Sequence, residues 1–237
     1  MALKLSTGLR MAMLGEVGSG ITAQTTIAAV NSTSTITDSG NGLWTAGFRA
    51  GSIIEITGFT GSTLNNQITR VTSILSTGAS MIVEATLVDD EAGEDVTIVE
   101  YGQSFDALFK HSVIDVYSGA MPSDADQLET GAQLLHLTKD AGAFTLGYET
   151  NAFEFDDITA SVLSMKDETY QDAGIATGTA GYYVHYDNRY VTGASTTSVR
   201  MMGTVGTSSA QMLLSSTSIV LAATTTLDSY TITQPAS

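Results

Sequence analysis

Ser52-Ile53-Ile54-Glu55-Ile56-Thr57 is the stretch whose reading decides the fold. Ile54 and Ile56 fall on one side of an extended chain, and Ile53, Glu55 and Thr57 on the other, the period-two alternation of a half-buried strand. Gly58 and Gly61 bracket the turn that follows. Farther along, Asn65-Asn66 precedes an extended run over 67–72, Gly78 precedes one over 81–85, and the acidic run 89–95 leads into one over 96–101. About five strands in about 80 residues fit a small barrel or sandwich, because all-β domains carry turn signals every ~8 to 12 residues.

Two places carry a helical signal. Leu9 and Met13 are an i, i+4 pair behind the potential N-caps Ser6 and Thr7, so residues 1–15 read as a short helix or an arm that also carries Leu3 and Leu5. Gly18-Ser19-Gly20 then reads as a flexible joint. Ser104-Phe105-Asp106-Ala107-Leu108-Phe109-Lys110 reads as the second short helix, with Ser104 as its N-cap. Residues 113–118 follow as a strand and 119–131 as a polar loop holding Pro122. From Leu134 onward apolar clusters recur at period two between Gly, Ser and Thr, among them 134–137, 153–155, 158–163, 182–186, 199–201, 212–214, 219–221 and 230–232. About eight short strands rich in Thr and Tyr suit half-exposed pleated surfaces and predict a jelly-roll-like β-sandwich. The expectation is therefore an all-β chain: an N-terminal arm over 1–15, a small β-barrel or sandwich module over 16–102, and the sandwich body over 103–237. There is no internal repeat of fixed period.

Composition narrows the function. With 43% hydrophobic and 14% charged residues the chain lies on the folded side of the compositional divide. Nine Lys and Arg stand against 25 Asp and Glu, a net charge of -16 whose field repels phosphate backbones, so nucleic acid is not expected as a partner. That charge keeps a surface rich in Ser, Thr and Gly soluble, and it also suits a positively charged partner surface. The absence of cysteine excludes disulfides, thiolate nucleophiles and Cys-ligated zinc. The N-terminal stretch holds Lys4 and Arg10 but no long apolar segment or A-x-A site, and runs such as 219–223 are far short of the ~18 residues of a membrane helix. Folding in a cytoplasm without a membrane partner is expected.

Candidate chemistry is sparse. Only His111, His136 and His185 could supply an imidazole base, and no G-x-S-x-G elbow accompanies them. His136 and His185 lie in apolar strand patterns and read as half-buried structural residues; His111 ends the second helix, where the backbone dipole favours a cation. Glu154 with Asp156 or Asp157 could pair for glycoside cleavage, but alternation with Phe153 and Phe155 reads more simply as the polar face of a strand and a turn. Asp89, Asp90, Glu91, Glu94 and Asp95, and also Asp124, Asp126 and Glu129, are oxygen-rich runs of the kind calcium takes; without EF-hand spacing they read as solvated loops. The glycines at 15, 18 and 20 lack the G-K-[ST] of a phosphate loop. In Tyr182-Tyr183-Val184-His185-Tyr186, Tyr182 and Tyr186 share one face, and Tyr183 and His185 the other. One face is expected in the core, and the other at a subunit contact or a sugar site. No catalytic, cofactor-binding or metal residue is assigned.

Several stretches carry a resemblance: the opening Met1-Ala2-Leu3-Lys4-Leu5-Ser6-Thr7-Gly8-Leu9-Arg10; Ser104-Phe105 through Val113-Ile114-Asp115-Val116-Tyr117-Ser118-Gly119-Ala120-Met121-Pro122; Asp124-Ala125-Asp126; Glu129-Thr130-Gly131; Ala176-Thr177-Gly178-Thr179-Ala180-Gly181-Tyr182-Tyr183; and Leu214-Ser215-Ser216-Thr217-Ser218-Ile219. Together they resemble tailed-bacteriophage virion structural proteins of the head decoration, or cement, kind. In that family the opening motif runs almost directly into the Ser-Phe helix, whereas here residues 16–102 separate them. The intervening piece, with Asp38-Ser39-Gly40, Gly47-Phe48, Ile56-Thr57-Gly58, Asn65-Asn66 and Leu87-Val88-Asp89, resembles small β modules of phage structural proteins, so it reads as an insertion.

The resemblance implies a non-enzymatic virion protein without cofactors. Its partners would be the major capsid protein or other virion proteins, and its own copies in a homo-oligomer, expected as a trimer, whose contacts act multivalently. The expected interface is the arm residues Leu3, Leu5, Leu9 and Met13, with Tyr183 and His185, and removing residues 1–13 is expected to spare the β fold. The alternatives are a tail, neck or baseplate component, or a receptor- or glycan-binding module stacking sugars on Trp44, Tyr182 and Tyr183.

Overall fold

The alternation at residues 52–57 becomes a strand, Ile53–Thr57, with Ile54 and Ile56 fully buried and Thr57 exposed. The computed structural model describes residues 3–13, 20–100, 105–145, 150–156 and 162–233. The expected joint at Gly18-Ser19, the N-cap Ser104, and Asp157 and Ile158 lie outside them. In chain order the elements are β1 (Lys4–Leu5), α1 (Thr7–Met13), β2 (Gly20–Gln24), β3 (Ile27–Val30), β4 (Thr35–Asp38), β5 (Ile53–Thr57), β6 (Ile68–Ile74), β7 (Ser80–Val83), β8 (Val96–Glu100) and α2 (Phe105–Leu108). They continue with β9 (Val113–Ser118), β10 (Gln133–Lys139), β11 (Val162–Ser164), β12 (Tyr170–Ala173), β13 (Gly178–Tyr186), β14 (Arg200–Gly206), β15 (Met212–Leu214), β16 (Ser218–Ile219) and β17 (Thr224–Thr233). Among the described residues the chain is all-β apart from two short α-helices and two single 3-10 turns, 31–33 and 63–65, and no helix is long and apolar enough to cross a membrane.

The chain divides into two compact units. Among the described residues, the smaller comprises those within 11–108, and the body those within 3–10, 109–145 and 150–233. In the smaller unit seven strands pair in the order β2-β8-β5-β6-β7-β4-β3. The two ends of that path, β2 and β3, are joined by the two-residue turn Thr25-Thr26, so the sheet curls into a barrel. Its core is aliphatic with two phenylalanines: Ile27, Ile36, Phe48, Ile54, Ile56, Phe59 and Val71 are essentially inaccessible. The turn residues act by capping backbone. Asp38 accepts from the amides of Gly40 (2.8 Å) and Gly42 (2.6 Å). Buried Asn65 donates to Val88 O (2.9 Å) and accepts from Val88 N (2.8 Å), and Asn66 makes the same pair with Phe59. Each amide satisfies a loop segment that has no strand partner.

In the body the backbone pairing closes. β9 pairs with β13, β13 with β14, β14 with β15, β15 with β17, β17 with β12, β12 with β10, and β10 with β9. All these pairings are antiparallel except β14 with β15. The two sheets expected of a sandwich are thus joined along both edges into a ring of seven strands, which removes the open edges through which sheets aggregate. Outside the ring, β1 adds to β14, β11 to β17 and β16 to β13.

The N-terminal arm differs from expectation. Residues 3–10 belong to the body. β1 lies antiparallel on β14, with Lys4 opposite Met202 and Leu5 opposite Met201, because the outer backbone groups of β14 would otherwise lack partners. Ser6 is fully buried: its hydroxyl donates to Ser198 O (2.7 Å) and accepts from the amides of Leu9 (3.0 Å) and Arg200 (3.2 Å), so it caps α1 and bolts it to β14. Gly8 is required where the chain passes Thr197, since a Cβ there would sit 2.4 Å from the carbonyl oxygen. The arm is therefore part of the fold, and deleting it should not leave the body intact. Ser6→Ala is expected to cost about 1 to 2 kcal/mol in urea unfolding, and removal of residues 1–10 to lower the melting temperature further. An unchanged unfolding curve for either variant would contradict this account of the arm.

Candidate functional site

The aromatic strand β13 holds the groups with the most chemical potential, and the structure buries both of its faces. Tyr182, Tyr183, Val184, His185 and Tyr186 all have no exposed surface. Tyr183 and His185, expected at a subunit contact, instead pack inside the body: His185 sits within 6 Å of the rings of Phe109, Phe153, Phe155 and Tyr230. Leu9 is likewise fully buried, and Leu3 and Leu5 are half-buried. Of the expected interface only Met13, 40% exposed, faces outward. The reason is closure of the ring: a strand paired on both sides and covered on both faces keeps no outward side chain.

Ser112 and His185 stand 2.6 Å apart, Oγ to Nε2, the separation of a nucleophile and its base. Both are fully buried, however, and Ser112 also donates to Phe153 O at 3.3 Å, tying the 153 segment to the ring. Tyr230 Oη lies 3.3 Å from His185 Nδ1, so both ring nitrogens have polar neighbours in an aromatic box. Burial holds the His185 imidazole well below its ordinary 6.5 and therefore neutral.

A second constellation lies on the other face of β13. Asp115, fully buried on β9, accepts from His136 Nδ1 (2.7 Å) and Tyr190 Oη (2.8 Å). Since a carboxylate only accepts, the His136 proton belongs on Nδ1. Tyr117 Oη lies 3.3 Å from both Asp115 and Tyr186 Oη, and Tyr186 donates to Glu129 (2.8 Å). Tyr186 has committed its proton to Glu129, so the single proton of Tyr117 reaches either Asp115 or Tyr186 Oη. Burial first, and the charge of Asp115 next, push the Tyr117 and Tyr190 phenols above their ordinary 10, which keeps them protonated donors. Glu129 also accepts from Arg200 (2.6 Å), whose fully buried guanidinium donates to Ala125 O (2.7 Å) and Gln127 O (2.9 Å) as well. Removing one partner of such a buried pair leaves a bare charge, a loss of about 3 to 5 kcal/mol. The sequence reading placed Glu129 in a solvated run and did not single out Asp115 or Arg200; the one signal for them was a charged residue within each apolar strand pattern, Asp115 in 113–118 and Arg200 beside Val199 and Met201.

Several of the remaining carboxylates are also engaged. Glu154 meets His111 Nδ1 at 2.8 Å and Lys166 Nζ at 2.7 Å, and the hydrogen bond from His111, aided by Lys166, holds it at about 2. A glycosidase acid needs the opposite shift, so Glu154 does not suit that role. Asp89 accepts from Asn31 N (2.7 Å), Asp90 from Ser62 N (2.6 Å), and Glu94 from the amides of Thr60 and Gly61 (2.7 Å each). Asp126 accepts from Thr7 N at 2.8 Å. Asp90 and Glu94 cap one turn, 60–62, while Asp89 and Asp126 cap others, and no group of three or more metal-ligating side chains occurs among the described residues. The glycan-stacking alternative also loses its platform. Tyr182 and Tyr183 are buried, and Arg49 covers one face of Trp44 at 3.6 Å from the ring centroid.

Because His185 is held neutral in the fold but has an ordinary value when unfolded, its contribution is complete above pH 6.5 and is lost as pH falls below that value. Urea unfolding is expected to show lower stability at pH 5 than at pH 7.5, and His185→Gln, which cannot take up the proton, to show a smaller difference. Equal differences in the two proteins would contradict the buried neutral imidazole. No family model matches the chain, and neither a curated protein nor a solved structure matches it.

Proposed function

We propose that the chain is a non-enzymatic structural subunit of a tailed-bacteriophage particle, and that it decorates the head, clamping neighbouring copies of the major capsid protein. The family resemblance of the opening, Ser-Phe, Ala-Thr-Gly and closing motifs supports the virion placement. The observation that carries the non-enzymatic part is the spending of reactive groups inside the body. Ser112, His185, Asp115 and Arg200 have no exposed surface and bind one another, aromatic hydroxyls or backbone.

Docking through the N-terminal arm is no part of this proposal, because that arm belongs to the body. Contacts would come from surfaces such as the tip where Ile175 (47%), Val220 (52%) and Leu221 (60%) are exposed on adjoining loops, held together by Gly174 N to Ala223 O at 3.0 Å. Modest contacts repeated around a symmetric oligomer, taken here as a trimer, give avidity well beyond any single one.

Separation of heads from tails in a disrupted particle preparation, followed by mass spectrometry of each fraction, tests the placement. The chain is expected on heads, retained after they are emptied of DNA. Its recovery only with tails would transfer the role to a tail, neck or baseplate component, and its absence from infectious particles would overturn the proposal.

A further inference from the structure

The smaller barrel presents two adjoining outward rows without charge, flanked by the Arg70–Glu84 ion pair (3.7 Å), in a segment that is otherwise strongly acidic. Residues 20–100 hold nine Asp and Glu against two Arg, a net of 2 − 9 = −7. Yet across β3, β4, β7 and β6 the register sets Val30, Thr35, Ile82 and Ser73 in one row. Ala28, Thr37, Ser80 and Leu75 form the next row. All eight are accessible, Ile82 at 42% and Leu75 at 46%, and their strand neighbours Ile27, Ala29, Ile36, Ile74, Met81 and Val83 fill the core.

This face continues at the β3 edge into a groove of about 720 Å³ lined by Ala28, Val30, Gly61, Asp89, Asp90 and Glu91. Asp89 and Asp90 each lend one carboxylate oxygen to a loop amide, and Glu91 is exposed. A neutral, partly aliphatic strip bordered by three carboxylates is complementary to a protein surface of one composition, aliphatic or β-branched side chains with a Lys or Arg alongside. A second copy of this chain is a poor occupant of this groove, because 25 Asp and Glu against nine Lys and Arg leave it few cations to set against the three carboxylates there.

We infer that the outer face of β3, β4, β7 and β6, together with the Asp89–Asp90–Glu91 groove, docks a basic, aliphatic-bearing protein surface. This goes beyond placement on the head, since it holds for whichever component supplies that surface. The groups that recognise it are the side chains of Ile82 and Leu75 for apolar area and Glu91, Asp89 and Asp90 for the cation.

The test uses the full chain and a fluorescent, disulfide-closed β-hairpin peptide alternating Val and Lys, with a counterpart carrying Glu for Lys. Anisotropy is expected to report binding of the Lys peptide alone. Ile82→Asp and, separately, Leu75→Asp are expected to weaken it by about tenfold or more. Glu91→Lys is expected to weaken it and to flatten its salt dependence. Circular dichroism checks that each variant is folded; the two strip variants guard against failure of either. Failure of the Lys peptide to bind would overturn the inference. So would equal binding by folded Ile82→Asp and Leu75→Asp, which would mean general attraction to an acidic chain. Sedimentation showing self-association abolished by Ile82→Asp would also overturn it, in favour of a second copy.

Discussion

Arg200 is an arginine with no exposed surface, and what its guanidinium donates to fixes the layer packed over the Tyr186 face of the ring. Its donors reach Ala125 O, Gln127 O and Glu129, all in the 119–132 connection between β9 and β10. Glu129 in turn accepts from Tyr186 and from Gly193 N, which lies in the connection between β13 and β14. The Arg200 amide donates to Ser6, and Asp126 of the same pinned loop receives Thr7. Two long connections and the N-terminal arm are therefore held by one buried charge and its neighbours. Desolvating a guanidinium is costly, and the site offsets that cost by giving it three acceptors, one of them an anion that is itself bound by a phenol and an amide.

Much of the fold could be read from the sequence because alternation and turn chemistry are local. Ile54 and Ile56 pointed inward as their spacing required, Ser6 capped the first helix, and Asn65-Asn66, read ahead of a strand, cap loop backbone with their own side chains. Two glycines in the family-like motifs have steric reasons. A Cβ on Gly8 would meet Thr197 O, and one on Gly181 would lie 1.9 Å from Gly119 O. What was not legible depends on pairing between distant strands. Period two in Tyr182-Tyr186 separates two faces but cannot say that both are covered, which follows only when β13 finds β9 and β14 on its flanks and loops lie over it. The same non-local closure turned an apparently free arm into an added strand and a solvated acid, Glu129, into the partner of a buried arginine.

The two units divide their chemistry differently. The body turns its polar groups inward: a Ser–His pair in an aromatic box on one face of β13, and Asp115, Tyr117, Tyr186, Glu129 and Arg200 on the other. The smaller barrel has an aliphatic core, uses its acids to cap loops, and leaves a neutral strip on its outside. A scaffold whose reactive groups are satisfied internally and whose surface is acidic with local apolar areas suits recognition of another protein. It gives a physical basis for the structural role proposed from the family-like motifs.

The central claim is that His111, His185 and their partners are spent inside the body. Diethyl pyrocarbonate labelling of the native chain at neutral pH, read by peptide mass spectrometry, measures this directly. His136, with 26% of its side chain exposed, is expected to be the histidine modified, while His111 and His185, 4% and 0% exposed, stay protected until the chain is unfolded. Modification of His185 in the folded protein at a rate comparable with His136 would mean that the Ser112–His185 pair is open to small molecules, and would contradict the account.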